Sequence, residues 1–433
     1  MLRRGPQAHK GAHQVCLAVR ATVRRESVTE LLSLLERMGG GEAGVPAIPF
    51  VKLRGVHFAR LLVLEDSTDV DEQLVPASLL WMSDVDAPLE SHLDQLAALG
   101  GPGLDAAFGL CEGYPPDPTP EMRSAYLREH LVKTQANYVN TVGRTVAQIH
   151  GEAALREAIE GFLDRRQSEG RSGTPEEVRA EIQAFVRGEP ALAWATRRAA
   201  RPSLLWRCKE LLHAVVAAAG LVIVAPVALV LLPVYAIVLR LHERSDPAPH
   251  LYPTPKHEQR LAAIEDHVTQ NQFSAAGNIK PGRFRERTIR SVTWLIDYGA
   301  RHIFNRASLA GIKTIHFAHW MILDDGRRGL FTSNYDGSHE SYMDDFIDKI
   351  AFGVNLSFSS GVGFPKTRFL LFEGARREQE FKDFQRCMQI PTQVWYSAYP
   401  QLSTVNIENN ALIRSGLFGT LTRPDTEAWL RRF

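Results

Sequence analysis

His57-Phe58-Ala59-Arg60-Leu61-Leu62-Val63-Leu64-Glu65-Asp66 returns later in the chain as His316-Phe317-Ala318-His319-Trp320-Met321-Ile322-Leu323-Asp324-Asp325. Five of the ten positions are identical and most of the others are similar. A second match follows each copy in the same order. Ser83-Asp84-Val85-Asp86-Ala87-Pro88-Leu89-Glu90-Ser91-His92-Leu93-Asp94 aligns with Ser333-Asn334-Tyr335-Asp336-Gly337-Ser338-His339-Glu340-Ser341-Tyr342-Met343-Asp344. Each copy then closes an apolar run with Tyr-Pro, at Tyr114-Pro115 and Tyr399-Pro400. Matches in a conserved order point to an internal duplication.

Working outward, the first copy reads as a strand at about 14–23, an amphipathic helix from Ser27 to Met38 and a long strand from about Phe50 to Leu64. A strand at 78–83, a helix opened by Asp84 or Asp86, and a strand at 106–112 complete it, in the order β-α-β-β-α-β. The second copy reads as strands at 270–279, 312–323, 329–333 and 393–398, with helices from Arg283 to Phe304 and from Ser338 to Phe352. An extra strand and helix, Arg368–Glu373 and Ala375–Met388, are inserted before its last strand. The expected domains are a first repeat at 12–116, a helical connecting region at 117–203, a hydrophobic segment at 204–244, a proline-rich linker at 245–268, a second repeat at 269–400 with its insertion at 366–390, and a tail at 401–433.

Two copies of this order resemble the dimeric α+β barrel superfamily, which includes dye-decolourising peroxidases, chlorite dismutases and small cofactor-free monooxygenases. The resemblance implies an α+β fold of two ferredoxin-like repeats whose sheets enclose a shared cavity. It also implies peroxidase- or monooxygenase-like oxidoreductase chemistry, with haem as the cofactor of some members. The peroxidases' G-x-x-D-G motif has a partial counterpart in Ser333-Asn334-Tyr335-Asp336-Gly337, which lacks the first glycine.

Between the copies, Leu211–Leu239 runs for 29 residues without a formal charge. As one helix it would reach about 43 Å, more than the roughly 30 Å of a bilayer core. Pro226 and Pro233 interrupt it. The segment therefore reads as a kinked transmembrane span or as a re-entrant hairpin, and a hairpin would keep both copies on one side of the bilayer. The flanks carry Arg197, Arg198, Arg201, Arg207 and Lys209 before it, and Arg240, Arg244 and Lys256 after it, which places the N-terminal flank in the cytoplasm. The expectation is a membrane-associated protein with cytoplasmic domains, lipid as one partner, and a cytosolic start at the basic Met1–Gly11.

The net charge of +1 gives no overall attraction for nucleic acid. Cys16, Cys111, Cys208 and Cys387 are far apart in sequence and suggest neither a disulfide framework nor a metal site. No P-loop, G-x-S-x-G, H-E-x-x-H or G-x-G-x-x-G is present, which removes the common nucleotide, hydrolase, zincin and dinucleotide readings.

The candidate chemistry lies in the repeated strands. His57 and His316 occupy equivalent positions and, by alternation, share a face with Ala59 and Leu61 and with Ala318 and Trp320. Arg60 and His319 point the other way, presenting different cations at matching places. Asn334, Tyr335, Asp336 and His339 form a polar cluster where a strand hands over to a helix, with helix capping as the alternative role of Asp336. Trp395 and Tyr396 sit on an aromatic final strand suited to core packing or to a flat apolar ligand. The catalytic candidates are His316, His319, Asp336 and His339. The ligand-binding candidates are Arg60, His57, Asn334, Tyr335, Trp395 and Tyr396. The functional expectation is a protein that binds an apolar small molecule, either as an oxidoreductase or as a non-catalytic lipid- or partner-binding protein.

Overall fold

The computed structural model describes residues 14–197, 204–246, 249–302 and 309–433. The Met1–Gly11 start, Arg198 and Arg201 of the flank, Pro247-Ala248 of the linker, and the end of the expected helix past His302 lie outside the described residues.

The principal elements are β1 (Gln14–Thr22), α1 (Val28–Gly39), β2 (Val56–Leu64), β3 (Ser78–Asp86), α2 (Leu89–Leu99), α3 (Gly101–Phe108) and α4 (Pro120–Glu129). Next come β4 (Ala136–Val139), α5 (Val146–Ser168), α6 (Pro175–Gly188), α7 (Leu204–Ser245) and α8 (Pro255–Ala262). The chain continues through β5 (Gln270–Asn278), α9 (Arg283–His302), β6 (Ile315–Leu323), β7 (Arg328–Asp336) and α10 (His339–Phe358). It ends with α11 (Glu378–Met388), β8 (Val394–Ser397), α12 (Thr404–Gly416) and α13 (Arg423–Leu430).

Two four-stranded antiparallel sheets dominate, in the orders β1-β3-β2-β8 and β4-β6-β7-β5. Their inner faces meet through Ala18, Leu62, Leu64, Leu80, Met82, Met321, Leu323 and Leu330. The outer face of the first sheet is covered by α1, α2 and α3, the helix α1 contributing Leu31, Leu35 and Met38 at helical spacing. The outer face of the second is covered by α10 and α11 through Tyr342, Phe346, Val354, Phe381 and Phe384. Because both faces are covered, all nine residues of β2 are buried, and the strand reads as a nearly continuous apolar run. A separate helical cluster joins α5, α6, α12 and α13 around Leu155, Ile182, Ile413 and Trp429.

This architecture corrects the expected fold class. The chain is mixed α/β with separate antiparallel sheets, and it does not form two self-contained ferredoxin-like βαββαβ repeats around a barrel. Neither half supplies its own last strand. The stretch expected as a strand at 106–112 begins inside α3, whose Leu104, Ala107 and Phe108 turn one helical face into the first core, and beyond the helix Cys111 makes only an isolated bridge to Val23. The fourth strand of the first sheet is β8, from the far end of the chain, and that of the second is β4, from the region expected to be helical. Asp84 and Asp86 belong to β3, and Pro88 holds the N-cap position of α2.

The membrane expectation is corrected as well. The helix α7 runs unbroken through Pro226 and Pro233, so no hairpin forms there. Among the described residues, no helix is long and apolar enough to cross a membrane. The C-terminal part of α7 is seated on protein instead. Tyr235 hydrogen-bonds Thr288 at 3.2 Å, His242 stacks on Phe284, and Glu243 accepts from Thr367 Oγ1 and the Phe369 and Leu370 amides. Polar groups at the C-terminal end of α7 are thus committed to α9 and to the 366–374 loop, and neither the transmembrane nor the re-entrant reading stands.

The exchanged strands make the first sheet depend on the C-terminal end of the chain. A fragment of residues 14–132 contains β1, β2 and β3 but lacks β8. It is expected to show no cooperative thermal unfolding by circular dichroism, where the whole chain shows one. A sharp transition in the fragment would contradict the dependence.

Candidate functional site

The inner faces of the sheets change character along their length. One end is apolar, and the middle carries a buried polar chain. Arg60 on β2 is 3% exposed and reaches entirely into the opposite sheet. Its Nη1 donates to the Phe273 carbonyl and Ser274 Oγ, both at 2.8 Å. Its Nη2 donates to the Ser333 carbonyl at 2.9 Å and to Asn334 Oδ1 at 2.6 Å. Asn334 Nδ2 donates to Asp84 Oδ2 at 3.3 Å, and Trp395 Nε1 donates to Asn334 Oδ1 at 3.0 Å. Asp84 Oδ1 meets His319 Nε2 at 2.7 Å, and His319 Nδ1 meets Asn137 Oδ1 at 2.7 Å.

The two halves place these groups in matching registers. Trp395 on β8 lies opposite Arg60, as Asn137 on β4 lies opposite His319. Burial pulls the Arg60 guanidinium down to about 10, with the Asp84 charge acting against it. For His319, burial favours the neutral ring, but its interactions with Cys16 and with the Asp84 carboxylate prevail and hold its pKa above the usual histidine range. Burial pushes the Cys16 thiol up, partly offset by His319.

Beyond this chain lie two histidine–aspartate pairs. His57 Nε2 meets Asp86 Oδ1 at 3.0 Å and its Nδ1 meets Tyr399 Oη at 2.9 Å. His316 Nε2 meets Asp336 Oδ1 at 2.7 Å. The other carboxylate oxygens anchor helices: Asp86 Oδ2 accepts the Val146 amide of α5, and Asp336 Oδ2 accepts the Thr404 amide of α12. The cap of α10 is Ser338, which accepts from Ser341. His57 and His316 do not share a face with Ala59, Ala318 and Trp320, because both ladders slip there, between Val56 and Phe58 and between Ile315 and Phe317. The slip turns both rings to the opposite sheet, where His57 packs on Phe317 and His316 on Phe58.

The remaining candidates are dispersed. His339 lies on the outer side of the second sheet against Phe273 and Gln389. Tyr335 stacks on Tyr342 in the same core, with ring centroids 3.9 Å apart. Tyr396 packs on Phe50 over the first sheet's outer face. The structure therefore unites Arg60, Asn334, His319 and Trp395, sets His57, His316 and Asp336 at the sheet ends, and separates His339, Tyr335 and Tyr396 from both groups. Sequence reasoning missed Asp84, Asn137 and Cys16. Asp84 was legible, since it aligns with Asn334 in the repeat.

Open space lies on the other side of the second sheet. A cavity of about 210 Å³ sits between that sheet and helices α9 and α10, lined by Ile296, Ala300, Trp320, Phe331, Phe346 and Phe358. A smaller one of about 70 Å³ adjoins it towards α11 and shares Trp320, Phe331 and Phe358. Leu295 and Phe352, 58% and 51% exposed, line the larger cavity and mark its mouth. The Trp320 indole N–H is buried and has no acceptor among the described residues. Among the described residues neither lining includes a histidine, cysteine or tyrosine, the proximal ligands of haem iron, so these cavities do not fit a haem.

Comparison of the chain with protein-family models, with curated proteins and with solved structures gives no match. Nothing in those comparisons names the dimeric α+β barrel superfamily, and the functional reading rests on the geometry alone.

His339 and His92 provide a pH test of how the helices pack on the two sheets. Burial, aided by the charges of Arg386 and Lys382, pushes its pKa down from 6.5 to about 3. Burial likewise lowers His92 to about 4. A histidine buried in its neutral form stabilises the fold fully above pH 6.5, and that contribution is lost as pH falls from 6.5 towards the folded value. Denaturant midpoints should fall across this window, and His339→Gln with His92→Gln should flatten the decline. An equally steep profile in the double variant would contradict the assignment.

Proposed function

We propose that this protein binds an apolar small molecule carrying one hydrogen-bond acceptor, in the cavity between the second sheet and helices α9 and α10. The observation that carries the reading is an apolar lining that includes Trp320, whose buried indole N–H has no partner among the described residues. A buried donor without a partner costs about 1–3 kcal/mol, and a ligand oxygen would relieve that cost. Apolar walls supply affinity without direction, and one fixed polar group supplies orientation. The exposed Leu295 and Phe352 give such a ligand an apolar entrance.

Binding, not catalysis, is the activity supported here. His316, His319 and Asp336 turn away from this cavity and are held in hydrogen bonds with each other or with Asp84, so no acid or base of that group faces the ligand space. Among the described residues the lining holds no titratable side chain.

A naphthyl ketone fluorophore, apolar with one carbonyl oxygen, is a suitable probe, because its emission reports both burial and hydrogen bonding. The protein should bind it with a blue-shifted emission. Trp320→Phe should weaken binding about five- to tenfold, the equivalent of roughly 1 kcal/mol for one hydrogen bond. Gly353 lines the cavity, and a Cβ there meets nothing nearer than Ile350 Cβ at 3.9 Å. Gly353→Leu should therefore fill the space with little strain and weaken binding more than tenfold. Unchanged affinity in both variants, or no binding by the folded protein, would refute the proposal.

A further inference from the structure

We infer that Cys16, Asp84 and His319 form a binding site for a zinc-class divalent ion between the two sheets. The three residues come from β1, β3 and β6, so the site draws on both sheets, and their donor atoms all lie within 4.8 Å of one another. Cys16 and Asp84 stand directly opposite each other in the β1–β3 ladder, and His319 reaches them from the facing sheet.

The surroundings orient each ligand. Asn137 Oδ1 accepts from His319 Nδ1, which keeps the proton on that nitrogen and turns Nε2 towards Asp84. Metal-ligating histidines ordinarily donate their second nitrogen in this way, fixing tautomer and ring plane. Asp84 Oδ2 is taken by Asn334 Nδ2, leaving Oδ1 facing the histidine. Asn334 is itself fixed by Arg60 and Trp395, so the carboxylate is held through a second layer of contacts. Cys16 Sγ, 3.8 Å from the adjacent Leu17 carbonyl, also interacts with His319, so all three groups of the cluster already touch through the histidine.

The donor set selects the ion. One sulfur, one imidazole nitrogen and one carboxylate oxygen suit tetrahedral Zn²⁺ or Co²⁺ with the fourth position open. Mg²⁺ and Ca²⁺ require six or more oxygen ligands and are disfavoured. With metal–ligand bonds of roughly 2.0–2.3 Å, tetrahedral ligand atoms stand about 3.3–3.7 Å apart, so side-chain adjustments alone would close the cluster. On binding, the ion displaces the proton held between His319 and Asp84 and the thiol proton of Cys16. Two positive charges enter and two protons leave, so the formal charge beside the buried Arg60 is unchanged.

Cobalt gives a direct test. The 433-residue chain, treated with a chelator and dialysed, is titrated with Co²⁺ while absorption is recorded. One equivalent should produce a thiolate-to-cobalt charge-transfer band in the near ultraviolet and tetrahedral bands in the visible. Cys16→Ser should abolish the charge-transfer band, His319→Gln should weaken binding at least tenfold, and Cys387→Ser should leave both unchanged. Circular dichroism of the same samples establishes that the variants are folded. As a readout independent of the thiol, Zn²⁺ should raise the unfolding temperature of the wild type but not of Asp84→Asn. A folded wild type that shows no cobalt bands, or a band of equal strength in Cys16→Ser, would overturn the inference.

Discussion

Arg60 is buried in one sheet while all four acceptors of its guanidinium belong to the other. That constraint organises the interior. A buried cation is tolerable only when its donors are bonded and a counter-charge is near; here both terminal nitrogens are bonded, and the counter-charge is Asp84, reached through Asn334. Asp84 is shared with His319, which crosses between the sheets in the opposite direction. The sheets can therefore slide or separate only by stranding several buried polar groups at once. The apolar contacts around Leu62, Met82 and Met321 supply non-directional burial, whereas the polar chain fixes the register in which that burial occurs.

The exchange of edge strands works in the same sense. Because β8 closes the first sheet and β4 closes the second, Trp395 and Asn137 reach the polar chain from the opposite half of the sequence. The helices that follow these strands are tied down by Asp86 and Asp336, the partners of His57 and His316. The conspicuous histidines of the repeat thus hold carboxylates that anchor α5 and α12, and the open space lies elsewhere, behind Trp320.

The repeated stretches made much of the core legible. The central strands β2, β3, β6 and β7 sit where the quoted matches predict, and Arg60 and His319 do point between the sheets. What the sequence concealed was long-range. Nothing local to Ala136–Val139 tells that it will pair with β6, and its charged neighbours favour helix. Cys16 looks isolated because Asp84 and His319 approach it only through sheet pairing and stacking. Strict alternation misplaced His57 and His316 because ladder slips cannot be read from period two. The apolar run at Leu211–Leu239 was misread because its hydropathy says nothing of the contacts that Tyr235 and, just beyond it, His242 and Glu243 make with the second half.

The central claim is that the polar chain couples the two sheets energetically. A double-mutant cycle on Arg60→Met and Asn334→Leu, with stability taken from denaturant unfolding, measures that coupling across the interface. The account predicts a non-additive energy of about 1–3 kcal/mol, because either single change already breaks the Arg60–Asn334 bond and strands its other member, a cost that the double variant counts only once. Additive effects, with a coupling near zero, would show that the sheets are held by apolar burial alone and would contradict the account.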